Sequence, residues 1–177
     1  MVADRLQESL DQYKIALDTG AEPPGDLNDS ELVVIAAHGG ILPEGRYLQR
    51  LADDAEMAMY PARLANAVSG SSIVILFVCS GGRIDPHPIG ETTVGLVKEL
   101  FDQGCSTVIA SPWPLEVGVP PNWLPVFLKE WMAGKTPIEA TFLANKNVEN
   151  RLGDSPLQCL AMNVYGDPLR LKYRPSR

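Results

Sequence analysis

Residues 32–37 read LVVIAA and residues 73–79 read IVILFVC, and the character of these two runs decides the fold class. Each is short, continuously apolar, rich in β-branched side chains and bounded by polar residues or glycine. A strand with one wet face alternates apolar with polar residues, whereas an unbroken run of this length suits a strand covered on both faces of a parallel sheet. Residues 107–111 (TVIAS) read as a third such strand. The first two runs are more than 30 residues apart, which is long enough for a crossover connection. The later part of that connection, 61–68, reads as a helix ended by Ser69-Gly70. The part before it, 46–59, suits either a small hairpin or an irregular loop.

Upstream, residues 3–17 set Leu6, Leu10 and Leu17 near one stripe among charged and amide side chains, the pattern of an amphipathic surface helix. Residues 18–30 (DTGAEPPGDLNDS) cannot continue it, because two prolines intervene, and they read as a linker. The expected organisation is a helix and linker over 1–30 followed by the main domain over 31–177. Downstream of the second run, SGGRIDPHPIGE (80–91) reads as a polar loop and 92–103 as a helix stopped by Gly104. Four prolines in 112–122 predict an ordered irregular loop leading into a helix over 122–133. Thr136, Pro137 and Glu139 form a capping-box pattern that predicts a helix start there, with the helix running to 152. Residues 159–165 and 169–173 read as two strands joined by a turn at Gly166-Asp167-Pro168.

A 177-residue chain hides roughly 70% of its unfolded surface on folding, so one core suffices without covalent staples. The three cysteines, Cys79, Cys105 and Cys159, are odd in number and far apart. They suit neither a disulfide framework nor a zinc site, and point to a reducing cytoplasm. No apolar run reaches the roughly 18 residues of a membrane span, and the N-terminus is polar and acidic rather than a signal peptide. With 15 Lys and Arg against 22 Asp and Glu, the formal net charge is -7, which argues against nucleic acid or an anionic membrane as the principal partner. Arg170, Lys172, Arg174 and Arg177 form the one basic cluster and read as a solvated tail. Two histidines without H-E-x-x-H offer no zinc site, and no metal or other cofactor is expected.

Chemistry concentrates at the ends of the two strongest strands. His38-Gly39-Gly40 follows one and Cys79-Ser80-Gly81-Gly82 ends the other. In an open parallel sheet the functional crevice lies beyond the carboxyl ends of the strands, and neighbouring strands are about 4.8 Å apart. His38 and Cys79 are therefore the candidate catalytic pair: an imidazole can take the thiol proton and later protonate a leaving amine. The N–H groups of Gly39 and Cys79 are candidates for an oxyanion hole. Asp85 and Glu116 are candidate acids of a substrate pocket for a basic side chain, with Trp113 as its wall. Cys105 and Cys159 read as core residues and His87 as an exposed loop residue.

The apolar run ending in His-Gly, followed some forty residues later by an apolar run ending in C-x-x-G, resembles the caspase-like cysteine peptidases of clan CD. Three later blocks are similar to successive segments of the CHAT domain, a bacterial caspase-like module: GCSTVIASPWP (104–114), AGKTPIEA (133–140) and YGDP (165–168). The resemblance spans about 31–173. It implies a caspase-haemoglobinase-like three-layer αβα sandwich with a mainly parallel central sheet, and a cysteine endopeptidase with His38 as base and Cys79 as nucleophile. It also implies a protein or peptide substrate, regulation by an attached repeat domain or partner protein, and one or two earlier strands that this stretch lacks. Two departures stand out: Ser80 and Gly81 occupy positions where the family carries an acidic residue and threonine, and Glu116 lies near the place of its usual aspartate.

Two other functions compete. A catalytically silent relative used as an interaction or scaffold domain would keep the fold with a thiol of ordinary reactivity. An α/β-hydrolase fits poorly, because Phe77 stands where the nucleophile elbow needs glycine and no late histidine follows.

Overall fold

The computed structural model describes residues 6–7, 10–15, 27–41, 47–50, 58–59, 61–86, 93–153 and 160–171, with the main chain alone at 38, 40–41, 47–50 and 58–59. The three apolar runs become adjacent strands. β1 (Leu32–Ile41) pairs in parallel with β4 (Ile73–Val78), and β4 in parallel with β7 (Thr107–Ala110). β2 (Tyr47–Arg50) and β3 (Ala58–Met59) extend the sheet beyond β1 by antiparallel pairing, and β8 (Asn163–Gly166) closes the other side against β7. The order is β3-β2-β1-β4-β7-β8. Of the two readings open for 46–59, the antiparallel β2–β3 pair is the one formed. A second, two-stranded sheet joins β5 (Asp85–Pro86) to β6 (Thr93–Val94).

The unbroken hydrophobicity of β4 has its expected cause. Ile73, Ile75 and Phe77 enter one core, while Val74, Leu76 and Val78 enter a second on the opposite side. The first core is completed by α3 (Val119–Met132), α4 (Pro137–Leu152) and the N-terminal residues Leu6 and Leu10. The second is completed by α1 (Pro61–Ala67) and α2 (Leu96–Asp102). Among the described residues the protein is thus a small α/β sandwich with four helices and two sheets. Each fully buried aliphatic or aromatic side chain of β4 contributes about 1.5–3 kcal/mol, which holds the central strand firmly beneath the site.

Several boundaries differ from the sequence reading. β1 continues four residues past 37 because β2 supplies a new antiparallel partner to 38–41 after β4 has ended, so His38-Gly39-Gly40 lies within a strand rather than after one. The helix expected over 92–103 begins at Leu96, since Thr93 and Val94 pair with Pro86 and Asp85. Gly95 marks the switch, with φ 152° and a hypothetical Cβ only 2.5 Å from the Arg83 carbonyl oxygen. α3 starts at Val119, not 122, because Pro120 and Pro121 occupy the first turn, where no intrahelical N–H is needed. The second C-terminal strand is absent at 169–171. Pro168 has no N–H, the Leu169 N–H turns back to Asp167 Oδ1 (3.0 Å), and the Pro168 carbonyl accepts from the Ile138 N–H of α4 (3.2 Å). The rest of that expected strand, 172–173, together with Cys159 and His87, lies outside the described residues.

Candidate functional site

Parallel pairing sets the candidate pair. The last steps of the β1–β4 ladder are Ala36 opposite Phe77 and Ala37 opposite Val78. His38 and Cys79 are the next residues on the two strands' main chain, one step past the carboxyl end of the parallel ladder. Phe77, two residues before the cysteine, is anchored edge-on against Trp123, with ring centroids 5.7 Å apart, and Trp123 stacks on Phe127 at 4.8 Å. The His38 main chain pairs opposite Arg50; its imidazole lies outside the described residues. Gly39, proposed for the oxyanion hole, pairs opposite Gln49 in the same ladder.

Cys79 is half-buried and begins a tight turn. Ser80 takes φ 57°, a left-handed conformation that costs a non-glycine residue about 1–2 kcal/mol. Local bonds hold the turn: the Gly81 N–H donates to the Val78 carbonyl and the Arg83 N–H to that of Ser80, both at 3.0 Å. The remaining bonds come from far along the chain. The Ser80 N–H donates to the Trp113 carbonyl (3.0 Å) and the Gly82 N–H to the Ser111 carbonyl (2.8 Å). The Leu115 N–H points at Cys79 Sγ (3.4 Å), and the thiol faces the Leu115 carbonyl at a looser 3.9 Å. The turn also presses against β8, because a Cβ on Gly82 would come within 2.7 Å of the Tyr165 hydroxyl and 3.1 Å of the Ser111 carbonyl carbon. Burial raises the Tyr165 phenol above its ordinary value, offset by a hydrogen bond with the Asn163 side chain.

The three pocket candidates have different surroundings. Asp85 is ion-paired with Arg83, from Nη2 at 2.8 Å and Nε at 2.9 Å, in an exposed strand of the small sheet. Glu116 is exposed and its carbonyl accepts the Val119 N–H at the start of α3 (3.0 Å). Trp113 stands beside the cysteine turn through its main chain. Its indole N–H is buried and has no hydrogen-bond partner among the described residues. Cys105 is in the second core, its thiol donating to the Val68 carbonyl (3.4 Å); burial pushes that thiol up, and the Ser71 backbone hydrogen bond lowers it in part.

Ser111, Leu115 and Tyr165 were not legible as site residues in the sequence. Ser111 and Leu115 meet the cysteine turn through main-chain atoms, which carry no side-chain signature, and Tyr165 does so from a strand more than 80 residues away. Among the described residues no group of three or more His, Cys, Asp or Glu side chains is placed to hold a metal ion, and no helix is long and apolar enough to cross a membrane. No family model matches the chain, and no curated protein matches it.

Proposed function

We propose that this domain is a caspase-like cysteine endopeptidase of the CHAT type, in which the α/β sandwich is the caspase-haemoglobinase three-layer fold and the substrate is a protein or peptide. The observation that carries the reading is the parallel register: Ala37 and Val78 are paired, and His38 and Cys79 are the next residues on each strand. The left-handed Ser80 beside the thiol adds to it, since backbone strain tends to be held where a reactive side chain must be presented. In the proposed reaction His38 takes the thiol proton and the sulfur attacks the scissile carbonyl, forming an S–C bond. The C–N bond then breaks as His38 protonates the leaving amine. Water, deprotonated by the same imidazole, hydrolyses the thioester and regenerates the thiol.

A second reading, a catalytically silent interaction domain on the same scaffold, draws support from the large apolar side chains displayed on the surface, among them Phe142, Leu160, Leu169 and Leu171.

The separating measurement is the rate of Cys79 alkylation across pH, read by mass spectrometry, in the wild type and in His38→Ala, alongside cleavage of a peptide library. The peptidase reading expects cleavage that falls about a hundredfold or more in His38→Ala, with slower alkylation at pH 7. An unchanged alkylation rate with no peptide cleaved by either protein would leave the interaction domain as the function.

A further inference from the structure

We infer that the run Ser111-Pro112-Trp113-Pro114-Leu115 is a preorganised strap whose last N–H, that of Leu115, holds the Cys79 sulfur and stabilises its thiolate. The inference rests on the reading of Cys79 as the nucleophile. It starts from covalent structure. Pro112 and Pro114 have no N–H, so the run offers main-chain donors at 111, 113 and 115 alone, and each proline also steers the residue before it, Ser111 and Trp113, towards extended backbone. Alternate residues then meet the cysteine turn in sequence: the Ser111 carbonyl takes the Gly82 N–H, the Trp113 carbonyl takes the Ser80 N–H, and the Leu115 N–H reaches Cys79 Sγ at 3.4 Å. The run is fixed at both ends. Ser111 is fully buried directly after β7, with its hydroxyl donating to the Trp113 carbonyl (3.0 Å), and the half-buried Leu115 side chain packs against the first core.

An N–H aimed at sulfur is worth little to a neutral thiol, a weak acceptor, and much more to a thiolate, because hydrogen bonds to an ionised partner are roughly twice as strong. A strap already ordered adds no reorganisation when the charge forms. Leu115 is therefore a positioning residue: its main chain sets the sulfur's direction and favours the ionised state, while the proton goes to the base.

The test is alkylation of Cys79 by iodoacetamide, in which an S–C bond forms and iodide leaves, in the wild type, Leu115→Pro, Leu115→Ala, Pro114→Ala and His38→Ala. Leu115→Pro removes the N–H and is expected to slow alkylation at pH 7 about tenfold while approaching the wild-type rate at pH 10, where an ordinary thiol is ionised. Leu115→Ala keeps the N–H and stays within about threefold of wild type, and Pro114→Ala, which loosens the strap, falls between. A wild-type rate in Leu115→Pro, or equal losses in Leu115→Pro and Leu115→Ala, overturns the inference. Because Leu115→Pro risks the fold, a second readout uses the intact protein: the Leu115 amide resonance in ¹⁵N-labelled wild type is expected to shift with pH in step with the alkylation profile, and an amide that does not move overturns it too. A slowed rate in Leu115→Pro with an unchanged rate in His38→Ala would sink the dyad and leave the strap standing; the reverse pattern would sink the strap alone.

Discussion

Two chain reversals in this protein are built in opposite ways. At the start of α4 the Glu139 N–H donates to Thr136 Oγ1 (3.4 Å), while the Thr136 N–H and hydroxyl both donate to Glu139 Oε2 (2.9 and 2.7 Å). Every partner lies within three residues. The turn after Cys79 takes its decisive bonds from residues 111, 113 and 115, some thirty residues away, and tolerates a left-handed serine to do so. A local reversal can form as soon as its few residues meet. A turn held from a distance exists only once strands β4 and β7 lie side by side, so its geometry depends on the stability of the whole sheet.

That contrast predicts a ranking of effects. The largest belongs to a third feature of the long-range kind. Asn145, buried in α4, accepts from the Trp123 indole (2.8 Å) and the Met162 N–H (3.3 Å) and donates to the Met162 carbonyl (2.8 Å), tying α3, α4 and the approach to β8 together. Asn145→Ala strands those groups in the core and is expected to cost about 3 kcal/mol in urea unfolding. A loss below about 1 kcal/mol would mean that distant polar ties matter no more than local ones. Next comes Gly82→Ala, whose added methyl meets the Tyr165 hydroxyl and the main chain of Ser111. The expected loss is about 2 kcal/mol, with part recovered in the double variant Gly82→Ala/Tyr165→Phe. Absence of any recovery would place the clash at Ser111 alone.

The smallest effect is at the local cap. Thr136→Ala is expected to cost about 1 kcal/mol and to leave Cys79 alkylation untouched. The Glu139 carboxyl sits below its ordinary value chiefly because the Thr136 hydroxyl donates to it, helped by the Thr136 N–H. A depressed folded-state value means that its contribution is fully present above the unfolded glutamate value of about 4.3 and fades as pH falls through the lower folded value. The melting-temperature gap between wild type and Glu139→Ala should therefore be constant near neutrality and narrow in acid. A gap that widens in acid would overturn the cap's assigned electrostatics.

The same division governed what could be read in advance. LVVIAA, IVILFVC and TVIAS announced buried parallel strands because two-sided burial demands side chains of one kind throughout, and T-P-x-E announced a helix start because its bonds are three residues long. Where a segment's partner lay elsewhere, the reading slipped. β1 ran on past 37 on the strength of β2, Thr93-Val94 left the helix for Asp85-Pro86, and Leu169–Leu171 turned away instead of pairing. At the site, the sequence read His38 and Cys79 as following two strands; β1 in fact runs on through His38, and the shared register of β1 and β4 followed only from pairing.

By itself, then, the sequence determined that the runs at 32–37, 73–78 and 107–110 are strands, where α4 begins, and that a histidine and a cysteine each directly follow one of the first two runs. Only the tertiary structure decided that those two strands are neighbours in parallel, that a left-handed serine is held beside the thiol, and that the Leu115 N–H faces its sulfur. The physical reason is reach. Periodicity and caps act through residues a few positions apart, whereas a main-chain donor carries no side-chain label and acquires its acceptor when the sheet brings residue 115 to residue 79.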